Sequence, residues 1–120
     1  LPYLMQNLDD KTTLTPVADR VDRWLRREVT GLSAAIADEW SRATVILDPP
    51  RSGAKSDVIS SLEKLAPAQI VYVACDPVAL GRDTGLLDTA GYDMVFIEAW
   101  DLFPHTHHME TIATFVRREV

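Results

Sequence analysis

Short apolar runs alternate along the chain with amphipathic stretches, the pattern of strands interleaved with helices. Ile70 to Cys75 is a continuous run of β-branched, aromatic and small apolar residues, as expected of a parallel strand covered on both faces. Ala43 to Leu47 is a second strand, stopped by Asp48-Pro49-Pro50. Between them, Val58, Ile59, Leu62 and Leu65 recur at helical spacing within Asp57 to Leu65. The three segments therefore form a β-α-β unit with parallel strands and a right-handed crossover. Asp76-Pro77 reads as a helix N-cap followed by proline at the first helical position, opening a helix that runs to about Thr89 and ends before Gly91. Tyr92 to Trp100 is a third strand and Met109 to Arg117 a fourth. The link between those two, Asp101 to His108, leaves no room for a crossover helix, so they should run antiparallel. Upstream, Leu14 to Val21 is read as a further strand, followed by a helix around Asp22 to Glu28 and a helical stretch from Leu32 to Trp40.

No repeat and no Pro/Gly/Ser-rich linker divides the chain, so residues 1–120 are read as one α/β unit. Its expected form is a mostly parallel sheet with an antiparallel last strand and helices on both faces. That layout has a geometric consequence. Parallel strands end on one edge of a sheet, and a reversed last strand begins there. Asp48 follows one strand, Cys75 ends the next, Asp101 follows the third and Glu110 opens the reversed one. In open α/β sheets this rim is where ligands bind. The competing reading is that strand ends are polar in any protein.

Composition narrows the classes. The chain has 120 residues, 18 acidic and 12 basic, with a net charge of −6 and 47% apolar residues. The apolar share is too high for a disordered tail, and the longest apolar run, Ile70 to Cys75, is too short to cross a bilayer. No secretory signal is visible near the amino end, so a cytoplasmic setting is the expectation. The acid excess lies in residues 61–120, which carry nine acidic and four basic side chains. Such a balance argues against a chain that grips nucleic acid by itself, because phosphate contacts need clustered Lys and Arg. The chain opens at Leu1 in a stretch with no clear structural beginning, as a piece of something longer would.

Candidate chemistry sits on the rim. In Asp48-Pro49-Pro50-Arg51 two residues without a backbone N–H force the chain out of the sheet, leaving carbonyls and the Asp48 carboxylate as acceptors facing the crevice. The alternative is a strand-ending turn with a solvated aspartate. Cys75 is the one cysteine, so no internal disulfide is possible. It precedes a capped helix whose amino end favours a thiolate, with Asp76 opposing unless that carboxylate is engaged in the cap. Taken alone, a cysteine is more often inert core filler. His105-Thr106-His107-His108-Met109-Glu110 offers metal-ligand types, yet a loop between strands provides no helix to fix their spacing, so no metal is expected. Glu110 is better placed as a general base, against the plain alternative of a solvated edge carboxylate. Trp24, Trp40 and Trp100 read as packing, and Arg23, Arg26 and Arg27 as a solvated helix face. Neither a Gly-x-Gly-x-x-Gly nor a P-loop pattern occurs.

Three ordered motifs, Asp48-Pro49-Pro50-Arg51-Ser52-Gly53, Val71-Tyr72-Val73-Ala74-Cys75-Asp76-Pro77 with Arg82-Asp83 beyond it, and Asp101-Leu102-Phe103-Pro104-His105-Thr106-His107-His108-Met109-Glu110, together resemble the S-adenosylmethionine-dependent RNA uracil-5-methyltransferase family. Residues 44–120 match well, and residues 1–43 loosely. The resemblance implies part of a Rossmann-like class I methyltransferase fold, S-adenosylmethionine as cofactor, and rRNA or tRNA as substrate. It implies Cys75 as the nucleophile that adds to C6 of uracil, Glu110 as the base that removes the C5 proton, and Asp48 as a cofactor-binding residue close to the target base. Ala74 stands where the family commonly has serine. The family's glycine-rich cofactor loop and acidic ribose-binding strand end lie upstream of anything in this sequence, so these residues match the carboxyl-terminal part of a catalytic domain and should be inactive alone. The absent strands would leave Ala43 to Leu47 as an apolar sheet edge, from which self-association, or coverage by the first segment, is expected. Two other readings remain: amino-methylation of adenine or cytosine, which leaves Cys75 and Glu110 without roles, and a non-catalytic α/β interaction module derived from such an enzyme.

Overall fold

The computed structural model describes residues 13–101 and 109–119. Helices α1 (Val21–Thr30) and α2 (Ala34–Ser41) precede β1 (Thr44–Leu47), α3 (Lys55–Leu65), β2 (Gln69–Ala74), α4 (Pro77–Thr89), β3 (Tyr92–Asp101) and β4 (Met109–Arg117). The four strands form one sheet in the order β1-β2-β4-β3. β1 and β2 pair in parallel, and β4 runs antiparallel to both β2 and β3. The α/β class and the reversed last strand are thus as expected, with the reversed strand inserted between β2 and β3.

Alternation along β2 and β4 explains the core. Ile70, Tyr72 and Ala74 of β2 and Ala113 and Phe115 of β4 are buried, while their immediate neighbours are partly exposed. These side chains meet Val58, Ile59, Leu62 and Leu65 of α3, Leu80 and Leu87 of α4 and Leu25 of α1 in one cluster. Helices were expected on both faces of the sheet. Among the described residues those feeding this core lie on one face, because the β1-α3-β2 and β2-α4-β3 crossovers step the same way across the sheet and a right-handed crossover then lands each helix on the same side. The continuous apolar run of β2 is therefore only half covered, with Val71 and Val73 on the more open face.

The expected strand over Leu14 to Val21 does not form. Residues 13–20 make no ladder, and Val21 begins α1. Pro16 cannot donate to a ladder, and the charged end of the segment is committed to the helix start: Asp19 pairs with Arg27, and Asp22 with Arg20 at 2.8 Å. Trp24 of α1 packs against Trp40 of α2, with ring centroids 6.3 Å apart. No helix among the described residues is long and apolar enough to cross a membrane.

Two tyrosines anchor the polar side of the core. The Tyr92 hydroxyl donates to the Pro67 carbonyl at 2.7 Å, and the Tyr72 hydroxyl to Asp83 at 2.5 Å. Burial pushes the Tyr92 phenol up to about 12; burial and the Asp83 carboxylate push Tyr72 well above its ordinary range. The folded state therefore favours both neutral phenols. Their contribution to stability is whole below pH ~10, where an unfolded tyrosine ionises, and is lost as pH rises through the folded-state values. Titration followed by phenolate absorbance should show Tyr72 and Tyr92 ionising together with loss of the fold, well above pH ~10. Ionisation of both near pH ~10 with the fold intact would contradict this account of the core.

Candidate active site

The rim where β1 and β2 end and β4 begins carries the candidate chemistry. Asp48, one residue past β1, and Glu110, the second residue of β4, both line a hollow of about 410 Å³ whose floor is Val73 and Ile112 and whose side is Trp100. Strand geometry explains the grouping. Val73 pairs with Ile112 and Trp100 with Glu110, so these four side chains share one face. A bulge helps to set that face. Met94 pairs with Phe115 but Phe96 pairs with Thr114, which leaves Val95 as an extra residue. Without it, Ala99 rather than Trp100 would stand opposite Glu110.

Cys75 follows β2 and is exposed. The last β2–β4 pair is Ala74 with Thr111, so the register carried one step further sets Cys75 opposite Glu110. It is not among the residues lining the hollow. The structure thus brings Asp48 and Glu110 into one depression, while Cys75 lies one residue past the end of β2, exposed and outside the lining of that depression. The helix after Cys75 is built as its sequence requires, with Pro77 in the first turn and the Asp76 carboxylate accepting from the Val78 N–H at 2.9 Å. The Asp76 charge is thereby engaged by the helix amides.

Asp48 also lines a second, larger space. A groove of about 860 Å³ runs beside β1, bounded by Trp24, Trp40, Val45, Asp48 and Pro49, with residues of the 15–22 segment along its far side. One carboxylate therefore stands between the groove and the hollow.

The loop after Asp48 is held by residues to which sequence reasoning gave no role. Asp83 is fully buried in α4. One oxygen, Oδ2, accepts from the Tyr72 hydroxyl at 2.5 Å and from the Ala54 N–H at 2.7 Å. The other, Oδ1, has no hydrogen bond; the Arg82 Nε at 3.6 Å is a charged neighbour too distant to donate to it. The Arg82 guanidinium instead donates to the Ser52 carbonyl. The available signal was spacing: Ala79, Leu80, Asp83 and Leu87 form the buried stripe of α4, and a carboxylate on such a stripe must be holding something.

Asp101, at the end of β3, pairs with Met109 and is exposed. The histidine tract, His105 to His108, lies outside the described residues. Among the described residues no group of three potential ligands forms a metal site.

A family-level sequence profile described as tRNA (uracil-5-)-methyltransferase matches residues 22–118. An uncharacterized RNA methyltransferase of Bifidobacterium longum is 47% identical over 73 residues, covering 61% of this chain and 17% of that protein. A 23S rRNA (uracil(1939)-C(5))-methyltransferase of Yersinia enterocolitica is 47% identical over 73 residues, covering 61% of this chain and 16% of that one. Among solved structures, the tRNA (uracil-54, C5)-methyltransferase of Pyrococcus abyssi in complex with S-adenosyl-L-homocysteine aligns with a TM-score of 0.56 at 44% identity, over 61% of this chain and 18% of that one. The chain thus spans less than a fifth of the length of these relatives.

Proposed function

Because the chain belongs to the tRNA (uracil-5-)-methyltransferase family, we propose that residues 1–120 are the carboxyl-terminal part of a catalytic domain that methylates C5 of uracil in rRNA or tRNA. The observation that carries this reading is the position of Asp48, which lines both the groove beside β1 and the hollow that holds Glu110. A methyl transfer needs a donor and an acceptor meeting across a short gap, and two adjoining spaces with a shared carboxylate suit that need.

In this reading the residues divide the work. The Cys75 thiolate adds to C6 of the ring, and the electron pair displaced from the C5–C6 double bond makes C5 nucleophilic. S-adenosylmethionine, when bound, supplies an electrophilic methyl group. C5 takes that methyl as the S–CH3 bond breaks and its electron pair stays on sulfur, leaving S-adenosylhomocysteine; Glu110 then removes the C5 proton, and the returning electron pair re-forms the double bond and expels Cys75 as thiolate. Val73 and Ile112 give the hollow an apolar floor, and Trp100 a flat wall of the kind on which a base can stack. Asp48 and the carbonyl of Pro49 are acceptors suited to the polar hydrogens of the donor. They form one wall of its site, so turnover is expected of the full-length protein and not of these residues alone.

Uracil carrying fluorine at C5 offers no proton for Glu110 to remove, so the adduct cannot resolve. The full-length protein should therefore be trapped on 5-fluorouridine RNA in the presence of S-adenosylmethionine, as a species that survives denaturing electrophoresis. Cys75→Ala should abolish trapping. Trapping that persists in Cys75→Ala refutes the nucleophile, and absence of trapping in the unaltered protein favours a non-catalytic interaction module.

We further propose that the 120-residue chain pairs with a second copy through β1. That strand hydrogen-bonds only β2 among the described residues, and Ile46 on it is 71% exposed. Light scattering after size exclusion should give twice the chain mass, and Ile46→Lys should return the mass to that of a monomer. A monomeric unaltered chain with that edge uncovered would refute this.

A further inference from the structure

The loop from Asp48 to Ala54 has no helix or strand of its own, yet α4 side chains hold it at two residues, Ser52 and Ala54, that flank Gly53. Arg82 takes the Ser52 carbonyl, and Asp83 takes the Ala54 N–H at 2.7 Å. Gly53 lies between the two side chains. Its φ of +87° is one that L side chains rarely adopt, and a Cβ there would stand 2.6 Å from the Arg82 Nη2 and 2.7 Å from the Asp83 Oδ2. The close fit leaves no slack at that residue. Tyr72 supports the grip from below, donating to the same Asp83 oxygen at 2.5 Å.

This arrangement is costly where it sits. A fully buried carboxylate with an unbonded oxygen, on a helix stripe otherwise made of Ala79, Leu80 and Leu87, is less favourable for packing alone than an apolar side chain. What the carboxylate holds is the loop. Pro49 and Pro50 have φ fixed near −65°, and the Gly53 N–H donates to the Pro50 carbonyl at 2.8 Å, closing a turn. A stiff connection therefore runs from the gripped residues back to Asp48.

We infer that Arg82 and Asp83 form a clamp that orients the Asp48 carboxylate between groove and hollow, which makes Asp83 and Arg82 positioning residues for methyl transfer. The inference rests on the reading of Asp48 given above. Neither side chain needs to touch donor or base. The clamp acts by fixing where Asp48 points.

Two readouts test it. In the 120-residue chain, Asp83→Leu removes the acceptor while filling the space, and Ala54 should exchange its amide hydrogen about tenfold faster or more, the effect of losing one hydrogen bond to a charged group. Asp83→Asn keeps a carbonyl acceptor and should restore protection to within about twofold. Should Asp83→Leu fail to fold, Arg82→Met opens the other jaw from a half-exposed position, and the Gly53 amide should lose protection while core amides of β2 keep theirs. In the full-length protein, Arg82→Met and Asp83→Leu should raise KM for S-adenosylmethionine about tenfold, and Asp83→Asn should leave it near the unaltered value. Unchanged protection at Ala54 and Gly53 overturns the clamp, and released amides with unchanged KM overturn the positioning role. If the unaltered full-length protein transfers no methyl group, the reading of the site falls, and the amide readout still decides the clamp.

Discussion

Insertion of a reversed strand between two strands of the opposite sense is the constraint on which the site depends. β4 lies between β2 and β3 and runs against both, so its first residues fall where its neighbours end. The register is specified by burial. Thr111, Ala113 and Phe115 face the core, and a slip of one residue would turn them outward and send Glu110 and Ile112 inward. The forces that bury Phe115 therefore also hold Glu110 at the rim. The bulge at Val95 makes the matching adjustment on β3 and brings Trp100 alongside.

β2 joins the two halves of the account through its period of two. Its inward residues, Ile70, Tyr72 and Ala74, build the core, and Tyr72 reaches through it to Asp83. Its outward residues include Val73, the floor of the hollow, and Cys75 follows directly on its last residue, Ala74. A single strand thus supports the loop of Asp48 through Tyr72 on one face, floors the hollow through Val73 on the other, and ends directly before the thiol. Helix α4 begins directly after that thiol with a carboxylate cap and ends near Arg118, which is tied to Asp88 and Asp93 at 2.6 and 2.8 Å. The helix that grips the loop is thereby fixed at both ends.

Much of this was legible in the sequence because it depends on short-range pattern. The run before Asp48, the helical spacing of Val58 to Leu65 and the Asp76-Pro77 start each carry their own physical signal, and the strands and helices from residue 43 onward lie within two residues of where that signal puts them. The meeting of Asp48 and Glu110 was legible too, since it follows from strand direction. What failed was whatever depended on partners. A strand over Leu14 to Val21 requires a neighbour to pair with, and Pro16 and the Asp19–Arg27 pair decide otherwise. Coverage of both sheet faces depends on where helices dock, which the apolar run of β2 cannot reveal. Asp83, part of the second motif, received no role because a helical aspartate ordinarily faces water, and only the buried stripe around it marks the exception.

The central claim is that the Cys75 sulfur and the Glu110 carboxylate face each other across the rim, and cross-linking measures it directly. Cys75 is the chain's one cysteine, so Glu110→Cys creates a single possible internal disulfide. Opposed residues of an antiparallel pair have Cα atoms about 4.5–5.5 Å apart, within the span a disulfide bridges. Mild oxidation of the folded Glu110→Cys chain should close this bond nearly completely, and Thr111→Cys, whose side chain points to the core face, should not close it. An oxidised Glu110→Cys chain that keeps two free thiols while folded would contradict the account.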